Sequence, residues 1–129
     1  MICSIEKNDI IQINELNIKN NFCVKYDYES GFKYVVNNSI VGYITYKLNY
    51  DTVDIISVLT DIDYRKNNIA TKLILELIKN FNNKIFLEVN ENNLNAIKLY
   101  EKLNFKKINV RKKYYNNKFD AYIYCYNIK

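Results

Sequence analysis

The stretch Val58–Ile78, VLTDIDYRKNNIATKLILELI, contains the transition that decides the fold. It begins as an apolar strand, passes through a polar and basic turn at Tyr64–Ala70, and continues as a helix. Apolar residues recur at helical spacing from Ile69 onward and predict one wide buried face. A turn that opens directly into a helix leaves several backbone N–H groups without partners. These groups, the helix dipole, and the side chains of Arg65 and Lys66 predict a phosphate-binding pocket.

Length and composition indicate one soluble globular domain spanning the whole chain. The 129 residues are 49% hydrophobic and 26% charged, which is the balance of a soluble domain with one sizeable core. No apolar run is long enough to span a bilayer. The chain has only 2 glycines and no proline. We therefore expect asparagine at turns that need a positive φ, because it tolerates this conformation better than other non-glycine residues.

Charged residues, cysteines and the lack of histidine narrow the function classes. The net charge of +5 suits an anionic cofactor or a nucleic-acid-bound partner, but it is also consistent with a lysine-rich solvated surface. Cys3, Cys23 and Cys125 lie far apart without metal-ligand spacing, so we expect reduced thiols, no metal site and a cytoplasmic location. Because histidine is absent, catalysis would have to use carboxylates, tyrosines, backbone groups or water.

Hydrophobic periodicity predicts a strand-rich first half followed by alternating helices and strands. Strands are predicted at Ile2–Glu6, Phe32–Val36, Ile40–Leu48, Thr52–Leu59, Lys84–Val89, Phe105–Tyr114 and Phe119–Asn127. Helices are predicted at Ile10–Ile18 with Asp9 as the cap, after the Tyr64–Ala70 turn to near Phe81 with Asn82–Asn83 as the stop, and from Asn92 or Asn93 to Leu103. Residues 20–31 are expected to be irregular. The strand after the second helix should run parallel to the strand before it. The expected class is α/β (α+β), a mixed central sheet of about six to seven strands flanked by helices.

Three segments carry a resemblance to a known family. Asp61–Ala70 parallels an acyl-CoA pyrophosphate loop of pattern [QR]-x-x-G-x-[GA]. Leu87–Phe105, LEVNENNLNAIKLYEKLNF, follows L-E-V-x-x-x-N-x-x-A-x-x-L-Y-x-x-x-G-F, and Arg111–Tyr115 with Asp120–Ala121 follows R-x-x-Y-Y…D-A. On these motifs, from about Gly42 onward, the chain resembles the GNAT acyltransferases. Within them it is similar to the bacterial ribosomal-protein-alanine N-acetyltransferases, which acetylate protein N-termini.

Two positions depart from the family pattern. Asn68 stands where the pyrophosphate loop has glycine, and Asn104 stands where a glycine precedes Phe105. Asparagine is the best substitute where φ is positive, so Asn104 is expected to end its helix in the left-handed conformation. The side chain of Asn68 could instead crowd the phosphate.

The resemblance implies a site for acetyl-CoA and an amine that attacks its thioester. It makes Glu88 the candidate base and Tyr100 the candidate acid, both expected to face one cleft, with the Val58 or Leu59 N–H at the oxyanion. The implied acetyl-CoA contacts are Val58, Leu59, Thr60, Arg65, Lys66, Asn67, Asn68, Ile69, Ala70, Asn93 and Tyr100. The implied walls of the peptide cleft are Arg111, Tyr114, Tyr115 and Asp120.

Each of these residues also has a purely structural interpretation. Glu88 could lie on a solvated strand face, and Tyr100 belongs to the apolar stripe of its helix. Arg65 and Lys66 could be plain surface charge, and Arg111 could pair across an exposed hairpin.

The function implied by the resemblance is acetyl-CoA-dependent Nα-acetylation of a protein N-terminus, with the N-terminal alanine of a ribosomal protein as one target. One alternative is a small-molecule amine N-acetyltransferase of the same fold, acting on a polyamine or an aminoglycoside-like substrate. Another is a non-catalytic acyl-CoA-binding module. The expected partners are acetyl-CoA and a peptide N-terminus, without membrane or direct nucleic-acid binding, in a monomer or weak dimer.

Overall fold

The computed structural model describes residues 1–127, which form a mixed seven-stranded sheet and three α-helices. The strands are β1 Ile2–Ser4, β2 Gly31–Val36, β3 Ser39–Leu48, β4 Thr52–Thr60, β5 Lys84–Asn90, β6 Lys106–Tyr115 and β7 Phe119–Tyr126. The helices are α1 Ile10–Lys19, α2 Ile69–Asn80 and α3 Leu94–Lys102. The strand order is β1-β2-β3-β4-β5-β7-β6, and β5 runs parallel to β4 as predicted. The expected class and strand number are confirmed.

Asparagines take the turn conformations expected of a glycine-poor chain. Asn37 and Asn38 link β2 to β3 with φ of 50° and 64°. Asn116 and Asn117, with φ of 53° and 56°, link β6 to β7. Asn104 ends the third helix with φ of 72°, as predicted.

Two helix caps differ from the sequence expectation. Asp9 precedes α1, but its side chain does not cap that helix. Its carboxylate instead accepts a hydrogen bond from the Glu6 N–H at 2.7 Å and pairs with the Lys33 ammonium at 2.7 Å. The second helix ends at Asn80, and neither asparagine of Asn82–Asn83 has the positive φ of a glycine-like stop. Competing partners therefore replace the cap that Asp9 was expected to provide for α1.

The described chain forms two compact units, the first of which comprises Met1–Lys47 and Ile56–Asn80. Its core brings α1 against β3 through a cluster of buried apolar side chains. The irregular segment 20–30 is held by two asparagines of α1, of which Asn17 is buried. The Tyr26 N–H donates to Asn14 Oδ1 at 2.8 Å, and Asn17 Nδ2 donates to the Val24 carbonyl at 3.0 Å. The cluster consists of Ile5, Ile13, Leu16, Tyr26, Ile40, Tyr43 and Leu59.

Gly42 sets the position of α2 within this unit. A Cβ at Gly42 would lie 2.9 Å from Ile69 Cγ2 and 3.0 Å from the Leu59 carbonyl oxygen. The missing side chain therefore lets the first residue of α2 pack directly on β3.

The second unit comprises Leu48–Ile55 and the chain from Phe81 onward. Its strand β5 alternates buried and more exposed residues, with Ile85, Leu87 and Val89 facing the core. These residues lie opposite Tyr126, Tyr124 and Tyr122 of β7, respectively. The outermost strand of the unit, β6, is exposed along most of its length.

Among residues 1–127, no helix combines the length and apolarity needed to cross a lipid bilayer.

Candidate active site

In the first unit, an ion pair on a buried carboxylate anchors the chain between β4 and α2. The carboxylate of Asp61 is 6% exposed and receives the Lys19 ammonium at 2.9 Å. Asn20 Nδ2 and the Asp63 N–H also donate to it, each at 3.4 Å. Burial alone would raise its pKa, but Lys19 and the N–H donors outweigh burial and hold the pKa of Asp61 below its usual range.

The loop that follows this anchor is open to solvent and ends on a buried residue. Lys66 and Asn68 have positive φ of 69° and 59°, and Asn67 Nδ2 donates to the Tyr64 carbonyl at 2.9 Å. Ile69 is 3% exposed and packs beside Gly42. The loop is therefore fixed at both ends, while Arg65, Lys66, Asn67 and Asn68 are exposed.

The end of β4 carries an unsatisfied buried hydroxyl. Thr60 Oγ1 is buried and has no hydrogen-bond partner among residues 1–127. A buried hydroxyl without a partner carries a desolvation cost. Thr60 directly follows Val58 and Leu59, which the sequence assigns to the acetyl-CoA arm.

In the second unit, Glu88 lies on the opposite face of β5 from the buried core row. Its side chain is 37% exposed, and its Oε2 is 3.3 Å from Arg111 Nε. The two side chains meet across β7, since Glu88 is opposite Ile123 and Arg111 is opposite Ala121. The interpretation of Glu88 as a carboxylate on an accessible strand face is correct, and this face also carries the motif arginine.

Two aromatic rings of the final hairpin lie next to this ion pair. The Arg111 guanidinium carbon is 5.3 Å from the Tyr114 ring centroid, and the Tyr114 and Tyr115 rings meet edge to face at 5.2 Å. Burial, and then the charge of Glu88, raise the pKa of Tyr115. The structure therefore brings together four residues that the sequence placed around a peptide and its amine.

Asp120 stabilises the conformation of the hairpin. Its Oδ1 accepts from the Lys113 N–H at 2.9 Å, and its Oδ2 lies 3.5 Å from Lys112 Nζ. Lys113 has φ of 50° within a register shift between Arg111 and Tyr115. The Lys113 N–H is the main cause that lowers the pKa of Asp120. Both carboxylate oxygens thus stabilise the bulge that presents the two tyrosines.

Sequence reasoning missed the residue that ties this hairpin to β5. Glu91 Oε2 accepts from the Asp120 N–H at 2.8 Å, and the Glu91 N–H donates to the Asp120 carbonyl at 3.0 Å. Glu91 lies inside the L-E-V-x-x-x-N segment at a variable position, so the motif contained no signal for it. Lys19 was missed for a related reason, because its partner Asp61 lies 42 residues away.

Tyr100 lies on the packed side of the sheet. It is 9% exposed, and its ring is 5.9 Å from that of Phe105 and 6.5 Å from that of Tyr124. Tyr124 is opposite Leu87 in the β5–β7 register, so Tyr100 lies on the Leu87 face and Glu88 on the other. Burial raises the pKa of Tyr100 to about 12.

Glu88 and Tyr100, which the resemblance expected to face one cleft, therefore lie on opposite faces of β5. Adjacent residues of a strand point to opposite faces, and the helix that carries Tyr100 packs on the face of Leu87. The acid and the base approach β5 from its two sides. Their assigned roles remain predictions.

Asn93 has the capping position that the sequence predicted. Its Oδ1 accepts from the Ala96 N–H at 3.2 Å at the start of α3. The side chain is exposed, so its amide NH₂ can still contact a ligand. Among residues 1–127 no cluster of acidic or cysteine side chains could hold a metal ion.

Comparison with known proteins identifies the family of this chain. The profile of the acetyltransferase (GNAT) family matches residues 8–105, which is most of the chain. The chain belongs to this family, whose members are acetyl-CoA-dependent N-acetyltransferases. The fold and enzyme class expected from the motifs are confirmed.

Two archaeal relatives match at the level of sequence. An N-alpha-acetyltransferase of Saccharolobus solfataricus is 36% identical over 140 aligned residues, covering 90% of this chain and 84% of the relative. An N-alpha-acetyltransferase of Sulfurisphaera tokodaii is 30% identical with the same coverage of 90% and 84%.

Solved structures match at the level of fold. The ribosomal-protein-S18-alanine N-acetyltransferase of Escherichia coli superposes with a TM-score of 0.88 at 22% identity, covering 100% of this chain and 94% of the other. Naa50 of Arabidopsis thaliana, solved with a bisubstrate analogue, superposes with a TM-score of 0.85 at 23% identity, covering 99% and 98%.

Proposed function

We propose that this protein transfers the acetyl group of acetyl-CoA to the N-terminal α-amine of a protein substrate. The observation that carries the proposal is the cluster on the accessible face of the second unit, where Glu88 lies beside Arg111 with Tyr114 and Tyr115 next to them. A half-exposed carboxylate attracts an ammonium, and phenol hydroxyls can hydrogen-bond a peptide backbone. The names of the two archaeal relatives support the same acceptor.

The chemistry requires a neutral amine. An α-ammonium with a pKa of roughly 7.7–8.0 must lose a proton before its nitrogen can attack, and Glu88 receives that proton directly or through water. The new C–N bond forms as the thioester C–S bond breaks. Tyr100 donates a proton to the leaving thiolate, and its raised pKa keeps the phenol protonated at neutral pH.

The proposed roles place a requirement on how the thioester binds. The attacking amine and the leaving sulfur are bonded to the same tetrahedral carbon, so that carbon has to come within reach of both Glu88 and Tyr100. Loss of activity in both Glu88→Gln and Tyr100→Phe would support this arrangement.

The first unit provides features that fit acetyl-CoA. Arg65 and Lys66 are exposed cations just before a 12-residue helix, and the first-turn N–H groups of a helix have no intrahelical partners. Asn68 already has the positive φ that the family glycine would supply, so its backbone meets the requirement of the loop. No hydrogen bond within residues 1–127 holds the exposed Asn68 side chain, so it can move aside.

The finer proposal concerns the acceptor sequence. The fold neighbour from Escherichia coli acts on an N-terminal alanine of a ribosomal protein. We propose a peptide beginning with alanine as the first acceptor to assay. Other N-terminal residues, including methionine, belong in the same panel.

The test is mass spectrometry of a peptide panel incubated with acetyl-CoA and the protein. Each peptide carries a free N-terminus and an internal lysine, and a matched copy carries a blocked N-terminus. We expect acetylation on the α-amine only, and none on the blocked copies. Transfer to polyamines or aminoglycosides without any peptide product would instead support the small-molecule enzyme, and absence of both would support the binding module.

A further inference from the structure

The cation at Glu88 in the free protein belongs to the chain itself. Arg111 Nε lies 3.3 Å from Glu88 Oε2, which is the place where the proposed function puts the substrate ammonium. Among residues 1–127, Arg111 is the cation within ion-pair distance of this carboxylate. The free site therefore already contains one positive charge of the kind that it is built to receive.

The ion pair between Glu88 and Arg111 is weak. The Glu88 and Arg111 side chains are 37% and 52% exposed, and the contact is through Nε. Exposed pairs of this geometry contribute little to stability, typically about 0–1 kcal/mol. An incoming ammonium of equal charge can therefore replace the guanidinium.

Arg111 also has a second position close by. Its guanidinium carbon is 5.3 Å from the Tyr114 ring centroid, within the roughly 6 Å over which an aromatic face attracts a cation. Tyr114 is 51% exposed, so space remains around its ring. A small rotation of the arginine can keep this contact while it leaves Glu88.

We infer that Arg111 competes with the substrate's α-ammonium for Glu88 and exchanges with it during each turnover. Binding of the amine displaces the guanidinium onto Tyr114. Glu88 takes one proton from the ammonium, and the neutral amine is acetylated to an amide, which carries no charge to oppose the guanidinium. Once Glu88 has released that proton to solvent, the Glu88–Arg111 pair forms again. This inference rests on the proposed function, and it makes Arg111 a positioning residue that sets how tightly amine and amide are held.

The alternative is that Arg111 contacts the peptide directly, as the sequence motif suggested. The two roles predict opposite effects of removing the charge. A competitor weakens the binding of the amine peptide, so its loss strengthens binding. A direct contact strengthens both amine and acetylated peptides, so its loss weakens both.

The experiment compares wild-type protein with Arg111→Gln by calorimetry in the presence of CoA, which blocks transfer. Each protein is titrated with the best acceptor peptide from the panel and with its Nα-acetylated copy. We expect Arg111→Gln to bind the amine peptide about three- to five-fold more tightly, the factor that corresponds to about 1 kcal/mol. Binding of the acetylated copy should change less than about two-fold.

Three further variants separate exchange from structure. Arg111→Lys keeps a cation and should restore wild-type affinity for the amine peptide. Lys106→Gln removes an exposed charge from the same strand, five residues before Arg111, and should leave both affinities unchanged. In a Glu88→Gln background, Arg111→Gln should no longer tighten the amine peptide, since the competed carboxylate is gone.

If Arg111→Gln binds both peptides more weakly, or binds both unchanged, the proposed exchange of Arg111 with the substrate ammonium is overturned. The proposed function still stands in that case if the wild-type protein acetylates the peptide. Equal tightening of both peptides also overturns it, because the amide carries no charge to exchange. A wild-type protein that binds no N-terminal peptide overturns both proposals. Thermal unfolding of each variant confirms that it is folded.

Discussion

Two carboxylate–cation pairs, one in each unit, differ in almost every physical respect. Asp61 is 6% exposed, and its carboxylate receives Lys19 at 2.9 Å together with Asn20 and a backbone N–H. Glu88 is 37% exposed and receives Arg111 at 3.3 Å. The first carboxylate is enclosed by donors, whereas the second is accessible to solvent and to a competing cation.

This difference shows which pair supports structure and which supports chemistry. A buried carboxylate without its partner would carry a large desolvation cost, so the Asp61 pair keeps the start of the Arg65–Ala70 loop in place. An accessible carboxylate can release its partner at little cost. Glu88 is therefore suited to take a proton from a substrate, and Asp61 is not.

The largest expected effect is the loss of activity in Glu88→Gln. The amide has nearly the same shape but cannot accept the amine proton, so kcat should fall about 10²-fold or more, the usual contribution of a general base. Stability should change by less than about 0.5 kcal/mol, as at other exposed sites. Steady-state kinetics with the best peptide and urea unfolding measure the two quantities. Full activity with unchanged kcat would remove Glu88 from the reaction.

The next effect is on stability, from Lys19→Met. The variant leaves Asp61 buried without its ammonium and should lower the free energy of unfolding by about 2 kcal/mol at pH 7. The pKa of Asp61 is lowered in the folded protein, so this contribution is present above the unfolded-state pKa of roughly 3.9 and is lost as pH falls through the folded value. Urea unfolding should show the same difference at pH 5 and 7 and a shrinking one below about pH 4.

The matched control for that variant is Lys33→Met, which removes the Asp9 partner at the other end of the same unit. It should leave acetyl-CoA binding unchanged, whereas Lys19→Met should weaken it because the loop loses its anchor. Equal binding by the two variants would mean that the Asp61 pair does not position the loop.

A smaller effect is expected from Tyr100→Phe, on the other face of β5 from Glu88. The ring still packs on Phe105 and Tyr124, but the proton donor is lost, so kcat should fall about 10-fold. Tyr124→Phe is the control, since it removes a hydroxyl that donates to Glu101 at 2.7 Å without touching the reaction. That control should lose about 1 kcal/mol of stability and keep its kcat. Equal kcat values for Tyr100→Phe and Tyr124→Phe would argue against Tyr100 as the proton donor.

The smallest effect concerns the loop that the Asp61 pair anchors. Lys66 has φ of 69°, a conformation that costs a non-glycine residue roughly 1–2 kcal/mol. The free energy of unfolding of Lys66→Gly, measured with urea, should therefore exceed that of Lys66→Ala by about 1 kcal/mol. Both variants lose the same positive charge near the proposed acetyl-CoA site. Equal stability of the two variants would argue against this backbone conformation in solution.

Much of the architecture could be predicted because its signals are local in the chain. Helical spacing from Ile69 and strand alternation in KIFLEV depend on neighbours a few residues apart. The asparagines at the two hairpin turns and at Asn104 take positive φ because the chain has almost no glycine to use there. The motif around Glu88 and Tyr100 identified the family for the same reason, since its residues are contiguous.

The sequence by itself determined the residue types of the site, the order of its elements and the family to which it belongs. Only the tertiary structure decided that Glu88 and Tyr100 lie on opposite faces of β5, because the face of the helix depends on how α3 packs against Tyr124. It also decided that Asp61 pairs with Lys19 and Glu88 with Arg111. Partners that meet through sheet register and packing leave no periodic signal in the chain, so only folding reveals which charge neutralises which.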